Sequence, residues 1–270
     1  MLYVHANNYD TKIESDYHGK RQQLIAFKRD YYEPFRKAMF AIDFTNPTMD
    51  DFNEATRLFN VYYKHLSEFI KEHKIASQSK LESTLLEELS VYLFKDIPEI
   101  KQNRLDFYNK GIYAGLKINN DLSLDIIKKD VDFCIGRKVR ITIEGQSSIE
   151  ITVPIVSVEV KTYLDATMFG EIKSSSKTLK SATPNSKAYV LMGYKCLADE
   201  HIFAARQDST LDEMFVLREG EGKPVDAYAL RIYWEEVTNA IKHVTSRQAL
   251  TVPGRLLSYN EMLANLKREK

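Results

Sequence analysis

Ile155-Val-Ser-Val-Glu-Val-Lys161 is the stretch on which the fold turns. Its β-branched alternation predicts a buried strand, yet a carboxylate and an ammonium stand where apolar side chains belong. Side chains alternate along a strand, so Glu159 and Lys161 share one face. Burying either charge alone costs on the order of several kcal/mol, so both need partners. Asp132, upstream, and a divalent cation are the expected ones.

Working outward, Val131-Asp-Phe-Cys-Ile135 reads as a short strand ended by Gly136, and residues 138–144 as a half-exposed strand. Gly145-Gln-Ser-Ser148 is a turn, and residues 149–161 form a long strand. Pro154 within it predicts a bulge or an edge position, because proline donates nothing to the ladder. A helix over 167–180, a turn at Thr183-Pro-Asn-Ser186, strands at 188–192 and 213–218, a loop at 220–224 and a long helix over 227–244 follow. The first hundred residues are expected to be mainly helical. A loose polar start tightens near Gln22, Asn46-Pro47-Thr48 turns into a helix over 50–74, and Ser77–Ser79 cap another over 81–94. This order gives an α/β class: a mixed central β-sheet flanked by helices. No internal repeat is visible.

The composition limits the choices. Of 270 residues, 44% are hydrophobic, enough for a sizeable core. The 38 basic and 38 acidic residues cancel, which excludes a uniformly basic chain but not a local basic surface. Two cysteines, Cys134 and Cys196, argue against a disulfide scaffold and suit a reducing cytoplasm. The opening residues lack a basic segment followed by an apolar one, and no run reaches membrane-spanning length. A soluble cytoplasmic protein without a membrane partner is the expectation.

Asp132 opens one strand and Glu159 lies on a later one, with a hairpin between. Adjacent strands lie about 5 Å apart, so the two carboxylates can share one hard cation such as Mg²⁺. Lys161 would then stand beside an attacking water or a phosphate, a set suited to phosphodiester hydrolysis. Carboxylates hold that lysine charged while desolvation opposes them, so its protonation stays open. Glu87 is the first choice for a supporting acid, ahead of Glu88 and Glu82. Asp130 competes with Asp132 on the same strand face, but Asp130 follows two lysines and looks more like surface. The plainer alternative is a strand edge carrying a surface ion pair, worth only ~0–1 kcal/mol.

Glu159-Val-Lys-Thr-Tyr-Leu-Asp-Ala-Thr-Met168 resembles the catalytic stretch of the BbvCI-type restriction endonucleases, within the wider PD-(D/E)XK nuclease superfamily. Pro184-Asn185, Tyr189-Val-Leu-Met192, Val131-Asp-Phe-Cys-Ile-Gly136 and Leu85-Leu-Glu-Glu-Leu89 follow the same pattern, although no proline precedes Asp132. The resemblance covers about residues 77–218. It implies a restriction-endonuclease-like core with Asp132, Glu159 and Lys161 as the triad, supported by Glu87. It also implies Mg²⁺ held by Asp132 and Glu159, and type II site-specific double-strand cleavage leaving 5′-phosphates. Residues 77–270 would be the nuclease domain, and residues 1–76 a helical region that contacts DNA or dimerises. Expected partners are double-stranded DNA, a second copy or a related subunit, and a cognate methyltransferase encoded nearby. A nicking or junction-resolving nuclease is the rival enzyme, and an inactive sequence-specific DNA-binding protein the rival of another class.

Further DNA-binding candidates flank this core. Thr162, Tyr163 and Asp165 follow the strand, and Asp165 equally suits a helix cap. Lys173, Lys177 and Lys180 fall on one helical face, where they could track a phosphate backbone. Arg137, Gln146, Asn185, Arg206 and Gln207 are possible base readers, because geometry and not chain spacing sets such contacts. The scattered histidines lack metal-ligand spacing, and the N-terminal aromatics are read as helix packing.

Overall fold

The computed structural model describes residues 3–76, 79–121, 123–142 and 148–245. The strand read first is the sheet's centre: β5, Ile149–Leu164. Around it stand β1 (Asp106–Tyr108), β2 (Ile112–Ile118), β3 (Leu124–Lys129), β4 (Phe133–Ile141), β6 (Lys187–Lys195) and β7 (Glu213–Val216). One edge of β5 takes β4 antiparallel, and β4 in turn takes β1. Its other edge changes neighbour along its length, touching β2 at Thr152 and then running parallel to β6 from Val156 onward. β2 and β3 form an antiparallel hairpin, and β7 adds parallel to β6. The result is the expected mixed sheet.

Two expected strands prove to be one. The segments on either side of Gly136 are continuous in β4, and the register shifts between Ile135 and Gly136 instead of ending there. Gly136 pairs with Pro154, so the bulge expected at the proline forms at this point. A Cβ on Gly136 would come within 2.5 Å of the Val153 carbonyl oxygen, and only glycine allows that approach. Residues 143–147 of the second expected strand and its turn, with Gln146, lie outside the described residues.

Helices cover both faces. In chain order they are α1 (Val4–Glu14), α2 (Arg21–Phe27), α3 (Glu33–Ala41), α4 (Met49–Glu72), α5 (Leu81–Phe94), α6 (Pro98–Lys101), α7 (Ala166–Ala182), α8 (Asp199–Gln207) and α9 (Ala227–Thr245). Val156, Val158 and Val160 of β5 join a core with residues of α1–α5 and α9. Val190 and Met192, the register partners of Glu159 and Lys161, pack with Phe169 and Ile172 of α7. The face carrying Glu159 and Lys161 is therefore the α7 face. The aromatics Tyr32, Phe35 and Tyr62 are buried as expected, whereas Tyr31 and Phe40 are exposed.

Residues 3–30 are more ordered than their polarity suggests, because α1 is held by distant groups. Its first amides, of His5 and Ala6, donate to Glu88 Oε2 at 2.9 and 3.2 Å. Tyr32 and Tyr92 donate their hydroxyls to Glu88 Oε1 at 2.6 and 2.5 Å. His5 is fully buried against Thr84 and Tyr62, and burial lowers its pKa to about 3, so the imidazole is neutral. Strands β1–β3 and helix α8 also appear where no element was expected.

Replacing Glu88 by Ala strands two hydroxyls and two helix-end amides in the interior. Urea unfolding of Glu88→Ala should show a loss of about 3 kcal/mol or more; a loss below about 1 kcal/mol would mean that these bonds do not hold α1 in place.

Candidate active site

Asp132 lies one residue before β4, whose first residue, Phe133, pairs with Val158. That places it opposite Glu159, where the ladder ends and the β5 amides lose their β4 partners. Asp132 Oδ2 fills the gap, accepting from the Val160 amide at 2.7 Å and from Lys161 Nζ at 2.9 Å. Lys161 Nζ also stands 3.7 Å from Glu159 Oε2. The Ser175 hydroxyl of α7 donates to Glu159 Oε1 at 3.3 Å. All three charged side chains are partly buried, with 29% of Asp132 and Lys161 and 17% of Glu159 exposed. The expected triad is one cluster.

Glu87 reaches the cluster from α5, and its neighbour Glu88 does not. Burial, followed by the Asp132 charge, pushes the Glu87 carboxyl up to about 8. Glu82 instead accepts from Ser67 at 3.4 Å. Asp130 is exposed and accepts from the Gly111 amide at 3.0 Å, which leaves Asp132 as the acid in contact with Lys161. Burial also raises Glu159, with the Asp132 charge adding to it, and Lys161 only partly offsets both. Burial pulls Lys161 down, but the three carboxylates outweigh it and the net shift is upward. In this state the lysine is an ammonium.

Such a donor set suits a hard cation. Oxygen ligands crowd together, and two of the acids are raised by burial and by a neighbouring charge, so added positive charge relieves them. Among the described residues no three acidic, histidine or cysteine side chains already form a metal-binding group. Here the Lys161 ammonium holds the space between Asp132 and Glu159.

The remaining candidates scatter. Asp165 caps α7, its carboxylate accepting from the Met168 amide at 2.9 Å. Tyr163 is exposed and stacks on Tyr194 of β6 with ring centres 6.0 Å apart, while Thr162 is half-buried between Lys161 and Tyr163. Arg137 is exposed on β4, and Asn185 is exposed in the turn after α7. The α7 lysines do not form a free stripe: Lys173 pairs with Asp208 at 2.7 Å and Lys180 with Asp212 at 2.6 Å. Lys177 alone of the three is exposed and makes no ion pair among the described residues. Ser175 was not singled out in the sequence; a helix position facing Glu159 is visible only once α7 is docked on β5.

This sheet, with acids and a lysine gathered where β4 and β5 part, is the PD-(D/E)XK core of restriction enzymes. The Bpu10I restriction endonuclease model matches residues 78–237, and the chain belongs to that BbvCI/Bpu10I-like family. A chain of the native BbvCI A2B2 tetramer, solved at low resolution, superposes with a TM-score of 0.73. The two are 17% identical over 92% of this chain and all of the other. A comparison with curated proteins finds no match. No helix among the described residues is long and apolar enough to cross a membrane.

Glu87 should leave a pH signature. Its folded pKa lies above the ordinary 4.5, so its contribution to stability is complete below about pH 4.5 and lost as pH rises through about 8. Without divalent cations, Glu87→Gln should match the wild-type Tm near pH 4 and exceed it by several degrees, at about 2–4 °C per kcal/mol, near pH 9. A Tm difference that does not grow with pH would refute this placement.

Proposed function

We propose that the chain is a type II restriction endonuclease, or one subunit of one, making Mg²⁺-dependent, site-specific cuts in double-stranded DNA. The observation that carries this reading is the convergence of Asp132, Glu159 and Lys161 within hydrogen-bond or ion-pair reach, beside the raised Glu87. Family membership supports it.

Asp132 and Glu159 would hold the cation, with Glu87 beside them. Mg²⁺ supplies positive charge next to the scissile phosphate and makes a water ionise more readily. Asp132 keeps one oxygen on the Val160 amide, so its orientation is fixed by the backbone of the same strand that carries Glu159 and Lys161. Lys161, charged in the uncomplexed site, would move from Asp132 toward the phosphate and the attacking water, orienting both. Ser175 holds the Glu159 carboxylate from the α7 side. Water attacks phosphorus, the P–O bond to the 3′ oxygen breaks, and a 5′-phosphate remains on the following nucleotide.

One such site cuts one strand, so a double-strand break requires a second copy or a related subunit. The superposed relative is described as an A2B2 assembly, a precedent for two kinds of chain. A methyltransferase encoded nearby would protect the host's own target sites.

Purified protein should linearise supercoiled plasmid with Mg²⁺ and leave ligatable 5′-phosphate ends. Glu159→Ala and Lys161→Ala should each reduce the cleavage rate by about 10²–10⁴-fold while keeping the wild-type melting profile within a few degrees. Full activity in either variant overturns the assignment; a nicked circle that never becomes linear would show that a second subunit is missing or that the enzyme nicks.

A further inference from the structure

Glu87, Asp132 and Glu159 line a cleft of about 680 Å³ together with residues of α1, the start of α5 and the loop between β1 and β2. Lys12, Lys80 and Lys110 line the same cleft, together with Asn7 and Asn109. None of the three lysines makes an ion pair among the described residues, unlike Lys173, Lys180 and Lys187 on the α7 side.

Lys80 sits against local preference in two ways. It is held at φ +58°, the left-handed region that favours glycine. It also stands at the start of α5, where the helix dipole disfavours a cation. Its charge reaches Glu87, which it helps to lower. The backbone conformation and the helix dipole both act against a lysine here and only its attraction to Glu87 acts for it, whereas an anion brought into the cleft would add a second favourable partner.

We infer that Lys12, Lys80 and Lys110 form the track that receives the backbone phosphates of the strand being cut. This rests on the nuclease reading and deepens it. Three ammonium groups share the cleft with four carboxyl groups (Glu87, Asp130, Asp132 and Glu159), so a divalent cation at the acids turns the balance toward a polyanion. The volume lies within the roughly 300–1,000 Å³ of small-ligand sites, room for a short stretch of one strand and not for a whole duplex. The placement also assigns α1 a task. Glu88 pins its first turn, and that holds Lys12 and Asn7 at the cleft that Glu87 lines.

The test is the salt dependence of binding to a random-sequence duplex, read by fluorescence anisotropy with Ca²⁺ in place of Mg²⁺, so that the acids are neutralised, and with a gel confirming that the duplex stays uncut. Each lysine that displaces a counterion contributes about 0.9 to the slope of log K against log salt. The variant Lys12→Gln/Lys80→Gln/Lys110→Gln should therefore have a slope shallower by about 2–3 and roughly tenfold or more weaker binding at 100 mM salt. An equal-charge control, Lys37→Gln/Lys64→Gln/Lys71→Gln on the exposed faces of α3 and α4, should keep the wild-type slope. Melting curves identify any misfolded variant, and the three single substitutions, each lowering the slope by about 0.9, then carry the same test. If wild-type protein cuts plasmid but the track variant keeps the wild-type slope, or the control loses as much, the track is wrong and the nuclease reading stands. Wild-type protein that neither binds nor cuts would overturn both.

Discussion

Asp132 Oδ2 accepts two hydrogen bonds at once, from the Val160 amide and from the Lys161 ammonium, and the site depends on this sharing. At that point β4 has not yet begun and β5 continues, so a backbone donor is left without a ladder partner. A carboxylate at the ladder's end satisfies the donor and simultaneously fixes a negative charge beside Glu159. The cost of assembling like charges is met in two ways: by Lys161 locally, and by the rigid register of β4, β5 and β6 on either side. The bulge at Gly136 and Pro154 lies further along β4, whose pairing still runs back to its first residue, Phe133, so the ladder stops beside the acid.

Adjacent glutamates on α5 show how one helix serves two ends. Glu88 turns inward to four donors and ties α1, Tyr32 and Tyr92 to the helix. Glu87, one residue earlier and about 100° around the axis, lines the cleft at the end of the β4–β5 ladder, within electrostatic reach of Asp132. Fixing Glu88 therefore fixes the rotation of α5, which sets where Glu87 stands. The N-terminal helices share one core with β4, β5 and β6, so the position of a site acid is coupled to residues more than 80 positions away in sequence.

The central features were legible in the chain because they are local contradictions. A charge pair at strand spacing among valines, and a proline in a strand, violate simple patterns and so attract explanation. The motif from Glu159 to Met168 then gave the family. Other features were hidden for physical reasons. Helix α1 is polar and depends on a carboxylate at Glu88 to satisfy its first amides, a partner that spacing cannot reveal. Gly136 looked like a strand end, but its small size serves a close backbone approach inside a bulged strand. The choice of Glu87 over Glu88 required the helix's rotation, since both sit beside the same apolar stripe.

The lysines carry the same lesson further. In the sequence Lys173, Lys177 and Lys180 make the most persuasive basic face, because helical periodicity aligns them. Folding gives Lys173 and Lys180 to Asp208 and Asp212, acids on the segment between α8 and β7. Lys12, Lys80 and Lys110 have no common periodicity, and only the packing of α1, the start of α5 and the loop before β2 brings them to one cleft. A net charge of zero thus conceals an uneven distribution. Where cations are matched by acids they hold elements together, and where they line a cleft without an ion pair, as Lys12 does over the Tyr17 ring, their charge is available to an anion.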